Sequence, residues 1–259
     1  MPRYKITIEY DGTDYVGWQQ QNNGRSIQKE LRKAVFAFSG ETVDITGAGR
    51  TDAGVHALGQ VAHFDAVRII DPFHLCQAMN AHLRPQPISV LAAEIVPDGF
   101  SARFSAIERS YIYRILNRRS RPALDINRVW WVGPSLDADA MRDAAAILLG
   151  RHDFSTFRAS ECQAKSPVKT LDELNVERQG DNIVFHVRAR SFLHHQVRNM
   201  VGTLKMVGEG KWDKQRVLDA LEARDRKAGG PTAPAAGLYF ESVRYPDDSA
   251  AAAFDPNGG

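Results

Sequence analysis

Cysteine is scarce in this chain. Cys76 and Cys162 are its only two, far apart and outside any C-x-x-C spacing. That argues against a disulfide framework or a cysteine-built metal site and fits a reducing cytoplasm. Long apolar runs are missing as well. No stretch is long enough to span a bilayer, and Met1-Pro2-Arg3-Tyr4-Lys5 runs straight into an alternating segment without a signal-peptide pattern. An excess of one charge sign is also absent: the net charge is +2, so the whole-chain balance names no partner. What remains is the composition of a soluble globular protein, 43% hydrophobic and 25% charged. At 259 residues it fits one large domain or two small ones.

The distribution of charge says more than its sum. Between Arg103 and Arg121 stand six arginines (103, 109, 114, 118, 119, 121) against one acid, Glu108. Between Arg188 and Lys211 stand three arginines and two lysines against Glu209, with His194 and His195 added. Tyr111, Tyr113 and Phe192 lie within these stretches, a combination that suits a polyanion with stackable bases. A solvated strand face explains either stretch alone equally well.

In chain order, Tyr4, Ile6, Ile8 and Tyr10 alternate with polar residues as a half-buried strand. A polar, aromatic-containing loop follows, Asp11 to Gln21. Ser26 caps a helix with Ile27, Leu31, Ala34, Val35 and Phe38 on one face, ended by Ser39-Gly40. Val43 to Ala48 and Gln60 to Phe64 read as strands. Asp71-Pro72 opens a helix closed by Arg84-Pro85, and Ile88 to Val96 is a strand. The second half is expected to open with a strand (Tyr111 to Leu116), pass through a loop rich in Arg and Asn and the stretch Val129-Trp130-Trp131-Val132, and enter a helix (Asp137 to Leu149). An irregular aromatic link (Arg151 to Phe157) follows, then two strands joined across Gly180-Asp181-Asn182. Two helices (about Val197 to Val207 and Asp213 to Glu222) and a closing strand, Leu238 to Val243, complete it. Each half thus carries the split βαβ order, which gives an antiparallel sheet with helices on one face. The expected division is 1–105 and 106–245, with a flexible tail over 246–259 and a cleft where the two sheets merge.

The most concentrated chemistry lies in Gly49-Arg50-Thr51-Asp52-Ala53-Gly54-Val55-His56-Ala57. Its glycines let the backbone turn or approach a ligand closely. A lone carboxylate on such a loop serves as nucleophile, base or N-cap, and a turn Asp bonding its own backbone is the commonest fate. Asp11 and Asp14 raise a metal or phosphoaspartate site, but no ligand-rich spacing supports one. His194 and His195 invite a metal reading, yet adjacent positions on a regular element point different ways, so solvent or RNA contact fits better. His56 reads as a histidine that braces the loop.

Four stretches, YDGTDYVGWQQQ (Tyr10 to Gln21), GRTDAGVHA (Gly49 to Ala57), RSYIYR (Arg109 to Arg114) and FLHHQVRNMVG (Phe192 to Gly202), resemble the tRNA pseudouridine synthase A family. The closing APAAGLYF (Ala233 to Phe240) agrees. The resemblance runs from Tyr4 to Tyr245. It implies an α+β fold of two ferredoxin-like (RRM-like) halves merging into one mainly antiparallel sheet around a central cleft. It implies isomerisation of uridine to pseudouridine at tRNA positions 38, 39 and 40, by a cytoplasmic homodimer acting on tRNA without cofactor or metal. Asp52 matches the family's catalytic aspartate and Tyr111 its active-site tyrosine, which replaces the stacking a displaced base loses. Arg198 matches an arginine that pairs with that aspartate and keeps it ionised. Arg50 is placed to hold RNA in the displaced conformation. The competing readings are a non-catalytic binder of doubled RRM-like units and an aspartate-dependent hydrolase using Asp11 or Asp14. The first leaves Asp52 without a use, and the second leaves the arginine-rich strand unexplained.

Overall fold

The computed structural model describes residues 1–22 and 24–246. The expected tail over 246–259 lies outside the described residues beyond Pro246. The elements are β1 (Arg3–Tyr10), α1 (Ile27–Ser39), β2 (Thr46–Gly47), β3 (His56–Asp65), α2 (Pro72–Leu83), β4 (Ile88–Val96) and β5 (Glu108–Asn117). They continue with β6 (Trp130–Val132), α3 (Ala138–Ala145), β7 (Gly150–Asp153), β8 (Val168–Gln179), β9 (Asn182–Ala189), α4 (Gln196–Gly208), α5 (Lys214–Ala223) and β10 (Leu238–Arg244). The architecture is mixed α/β with mainly antiparallel strand pairing. Among the described residues no helix is long and apolar enough to cross a membrane, and both cysteines are free thiols.

The chain gathers into two compact units. One holds Met1–Arg109 and the chain from Phe240, and the other holds Ser110–Tyr239. The division therefore falls inside β5 and inside β10.

In the first unit the strand order is β4-β1-β3, with β2 beside β3 on a two-residue pairing. Alternation in β1 puts Tyr4, Ile6, Ile8 and Tyr10 on its buried face, each 4% exposed or less. Ser26 caps α1 by accepting from the Lys29 amide, and Asp71 caps α2 by accepting from the His74 amide. Ile27, Leu31, Ala34 and Val35 are the buried stripe of α1. The strand expected over Val43 to Ala48 shortens to Thr46–Gly47. Val43 and Ile45 are buried as alternation requires, but the Ile45 carbonyl accepts from the Gln28 side chain (2.8 Å), so a side chain takes a role that a neighbouring strand would otherwise fill.

In the second unit the order is β5-β9-β8-β7, and β6 runs parallel to β5. The β8–β9 hairpin closes with Gln179 opposite Asn182 and Gly180 at φ +60°. The irregular link expected at Arg151 to Phe157 is in part a strand: Gly150–Asp153 pairs with Val168–Leu171. Polar residues with a period too short to read hid it. The helix expected to reach Leu149 ends as α-helix at Ala145 and tightens into a 3-10 turn over Ala146–Leu148.

Candidate active site

Asp52 lies half-buried in the loop between β2 and β3. The preceding aromatic loop wraps around it. The Trp18 amide donates to Thr51 O (3.1 Å), the Gly54 amide to Tyr15 O (3.3 Å) and the Val55 amide to Asp52 O (3.2 Å). Two glycines permit this approach. A Cβ on Gly12 would stand 2.0 Å from Val55 O. A Cβ on Gly17, whose φ is +105°, would stand 2.4 Å from Thr51 O. The sequence YDGTDYVGW is therefore a cradle for the Asp52 loop, and its glycine spacing follows from backbone meeting backbone.

Buried polar side chains hold the same loop at its root. Gln60 Nε2 donates to Gly49 O (2.9 Å), and the Tyr10 hydroxyl meets Thr51 Oγ1 at 2.8 Å. Arg109 donates through Nε (3.1 Å) and a terminal nitrogen (2.9 Å) to Ala48 O, and also to Arg103 O (2.6 Å). Burial pushes the Tyr10 phenol up to about 12, against the opposing pull of the Thr51 hydroxyl and the Gln60 side chain. It is neutral at any working pH.

His56 is 2% exposed and braces the cradle, as expected. Its Nδ1 accepts from the Gly12 amide at 3.1 Å, and Asp11 Oδ1 stands 3.1 Å from the same nitrogen. One ring nitrogen cannot both accept from Gly12 and donate to Asp11. Asp11 Oδ1 already accepts from the Thr13 amide (3.0 Å) and hydroxyl (2.5 Å), so the neutral tautomer with an accepting Nδ1 fits better. Asp11 is an Asx turn that shapes the loop.

In the second unit, Tyr111 is 8% exposed and meets Phe192 edge-on, with centroids 5.1 Å apart at 87°. Two residues on and on the same side of β5, Tyr113 donates to Pro234 O (2.7 Å). Burial pushes its phenol well above the ordinary range, against a downward pull from Arg198. His195 takes a left-handed φ of 61° immediately before α4. That break in regular geometry corrects one expectation. The His194 and His195 rings do not diverge but lie together, centroids 4.1 Å apart.

Arg198 sits in the first turn of α4. Its Nε donates to Ala233 O (2.8 Å), and the Ala233 amide returns a bond to Arg198 O (3.1 Å). This uses one of the five N–H donors of the guanidinium and fixes the plane in which the others lie. A Cβ on Gly202 would fall 1.7 Å from Pro231 O, so α4 and the loop over 229–237 are in backbone contact. Asn199 is the hub behind them. It accepts from Arg226 (3.2 Å) and Thr232 (2.7 Å) and donates to Phe157 O (2.9 Å).

Of the candidate residues, Arg50 and Asp52 share the loop of the first unit, Arg50 exposed and Asp52 half-buried. Tyr111 and Arg198 belong to the second unit. Arg109, counted with the arginines suited to a polyanion, is instead buried on carbonyl oxygens. The sequence carried no sign of that. Gln60 was also missed as a brace, although a signal exists. It shares strand parity with Ala62 and Phe64, both buried, and a polar residue on a core face requires a partner.

The family model described as tRNA pseudouridine synthase matches residues 6–105 and 144–246 of this chain. A protein from Rhodospirillum rubrum named tRNA pseudouridine synthase A is 59% identical over 253 residues, covering 98% of this chain and 91% of that protein. A protein of the same name from Rhodopseudomonas palustris is 61% identical over 245 residues, covering 95% of this chain and 100% of its own length. A third, from Allorhizobium ampelinum, is 60% identical over 250 residues, 96% of each chain.

Proposed function

The chain belongs to the tRNA pseudouridine synthase family, and from that premise we propose that it isomerises uridine to pseudouridine at positions 38, 39 and 40 of the tRNA anticodon stem-loop, with Asp52 as its catalytic carboxylate. The reaction breaks the C1′–N1 bond of the nucleoside and makes a C1′–C5 bond. The proton on C5 leaves to solvent and N1 gains one, so atoms balance without a redox partner or a phosphate donor. The chemistry asks for an ionised carboxylate held against sugar and base. The observation that carries the reading is the fastening of the Asp52 loop. Its backbone is bonded at Gly49, Thr51, Asp52 and Gly54 to groups from outside or across the loop. A turn aspartate with no task would not require two glycines from another loop to make room for it.

The other roles belong to the same proposal. Tyr111 supplies an aromatic surface for the displaced base, supported by its place on β5 with the ring held edge-on by Phe192. Arg50, exposed beside Asp52, contacts RNA. Arg198 opposes the rise in the Asp52 pKa that RNA phosphates and desolvation would cause, and its Nε anchor supports a fixed orientation. Asp52 attacks the sugar, adds to the base or takes a sugar proton; each needs the same ionised group. We further propose that each unit is a ferredoxin-like half, which in the first unit the β4-β1-β3 order with β2 beside β3 supports, and that the enzyme works as a cytoplasmic homodimer. The deciding experiment uses tRNA tritiated at uridine C5. Tritium released to water is the expected result, while binding without release would leave an RNA-binding protein.

A further inference from the structure

We propose that Arg103 and Phe104 form a stacking platform for an unpaired nucleotide of the tRNA: the base lies on the Phe104 ring and the Arg103 guanidinium takes the adjoining phosphate. This rests on the functional reading above and adds an RNA contact to it within the first unit.

Phe104 is 79% exposed, the most exposed aromatic side chain among the described residues. Single exposed apolar residues are ordinary on protein surfaces. This one is set apart by its neighbour and by what holds it. The guanidinium carbon of Arg103, itself exposed, lies 5.3 Å from the centroid of the Phe104 ring. A cation and an aromatic face are thus presented to solvent side by side. A nucleotide carries the complementary pair, a flat base and a phosphate on one sugar, and stacking on an aromatic beside a positive charge is how single strands are gripped. An acidic peptide would engage the arginine and leave the ring idle.

The turn that carries the pair is fastened on its inner side. Ser101 Oγ accepts from the Phe104 amide (3.3 Å), Ser105 Oγ from the Ser101 amide (3.0 Å) and Ser101 O from the Ser105 amide (2.9 Å). Ala102 and Ala106 are buried in one cluster with Ala48, Val61 and Tyr245. The Ala102 amide donates to His63 Nδ1 (3.1 Å), and its carbonyl accepts from the Tyr245 hydroxyl (2.8 Å). The alanines anchor the turn and leave Arg103 and Phe104 facing out. A ring on backbone already ordered loses little freedom when a base settles on it, which favours binding.

The same turn is tied to the loop of the acid. One terminal nitrogen of Arg109 donates both to Ala48 O (2.9 Å) and to Arg103 O (2.6 Å). The root of the Asp52 loop and the backbone of the platform therefore hang on a single buried guanidinium. RNA that presents a uridine to Asp52 has the platform within reach of its neighbouring nucleotides. Bases paired in a stem have their faces covered by the bases above and below, so the one that stacks here is an unpaired base of the anticodon loop.

The test measures binding of a tRNA anticodon stem-loop to the full-length protein and its variants. At fixed ionic strength Phe104→Ala should raise Kd by about 10-fold, within the range that removing one stacking partner costs. Its melting temperature should not change, because the ring covers little of the core. Phe104→Trp keeps a flat aromatic face and should stay within about 3-fold of the wild type. The fluorescence that its added indole contributes over the wild type should be quenched by the stem-loop. Arg103→Gln should make the salt dependence of log Kd shallower by roughly 0.7–0.9, the share of one phosphate, while Phe104→Ala leaves that slope unchanged. If Phe104→Ala folds poorly, Phe104→Leu, which keeps apolar bulk without a π face, takes its place. Affinity within about 2-fold of the wild type in these variants, or an unquenched indole, would overturn the platform. So would a change of oligomeric state in Phe104→Ala by sedimentation, which would assign the ring to a contact between copies of the chain. Absence of tritium release from the wild type would refute the function, and stem-loop affinity would still judge the platform.

Discussion

The loop that carries Asp52 and the helix start that carries Arg198 are both held by buried polar groups, but of different kinds. Around Asp52 the braces are mostly neutral: a phenol, a hydroxyl, a primary amide, backbone amides and a neutral imidazole. One cation, Arg109, stands at the root of the loop on Ala48 O. Around Arg198 the braces include cations: Arg198 Nε on Ala233 O, and Arg226 on Asn199 and on Gly230 O. The difference follows from what each loop presents. Neutral hydrogen bonds fix an acid's backbone with little effect on its charge. Guanidinium groups pair well with the carbonyls of a proline- and glycine-containing loop, which has few amide partners of its own.

The largest effect that tests this contrast is at the two charged residues. Asp52→Asn is expected to abolish tritium release, a loss of at least about 1,000-fold, while tRNA affinity stays within about 3-fold. Arg198→Lys keeps the charge and loses the anchored plane, and is expected to cost only about 10-fold in kcat. Substantial activity in Asp52→Asn, or an equal collapse in Arg198→Lys, would reverse the ranking of the two units.

Next come the glycines, where the tight contacts can be broken one unit at a time. Gly17→Ala meets Thr51 O from a left-handed backbone and should destabilise by about 3 kcal/mol or more. Gly202→Ala sits within α4, where alanine would ordinarily gain about 1 kcal/mol, but its Cβ falls on Pro231 O. It should lower the melting temperature and speed exchange at the Ala233 amide. Gly40→Ala is the control, since nothing stands within 4 Å of its Cβ and only its φ of +72° opposes it. About 1 kcal/mol is expected there. Equal melting temperatures for all three would deny that backbone contact holds either loop.

A smaller effect separates surface arginines from the buried one. Arg119 and Arg121 are exposed in the second unit. Reversing both to Glu should weaken tRNA binding by about 10-fold and flatten the salt dependence by roughly one unit of slope per lost phosphate contact. Arg109→Lys should lower the melting temperature and leave that slope unchanged. A slope that moves with Arg109 and not with Arg119 and Arg121 would return Arg109 to the RNA-binding surface.

The smallest effect is alkaline. Tyr10 in one unit and Tyr113 in the other are buried phenols pushed up, Tyr10 to about 12. For an acid raised above its unfolded value of about 10, the stabilising contribution is complete below that pH and is lost as pH climbs through the folded value. Unfolding should set in above about pH 10, and Tyr10→Phe should move the onset slightly upward. An onset unaffected by Tyr10→Phe would assign the alkaline transition to other groups.

Much of this molecule was legible in the chain. Alternation from Tyr4 to Tyr10 marked β1, Ser26 and Asp71 marked the starts of α1 and α2, and Asp213 marked the start of α5. These are local signals, set by the 2.0 and 3.6 residue periods and by a cap three residues ahead of the amide it binds. The Asp52 loop announced itself through its density of reactive and small residues. Arg109 shows the limit, since its sequence neighbours are arginines and aromatics and nothing local tells a guanidinium on a carbonyl from one awaiting a phosphate. The left-handed His195, which brings two histidine rings together, was equally hidden, because only a few per cent of non-glycine residues take that backbone state and no turn signal beside it marks this one.

The sequence by itself determined most of the element order, the helix caps, the acid in its glycine-flanked loop and the family. Those are properties of neighbours along the chain and of motifs a few residues long. Only the tertiary structure decided that the Tyr10 cradle closes over the Asp52 loop, that Gln60 and Arg109 spend their donors on its carbonyls, and that Ala233 meets Arg198. Each of these joins residues between 11 and 61 positions apart. Hydrogen bonds of that span are settled by which buried carbonyls the folded sheet leaves in need of a donor, and no local pattern records that need.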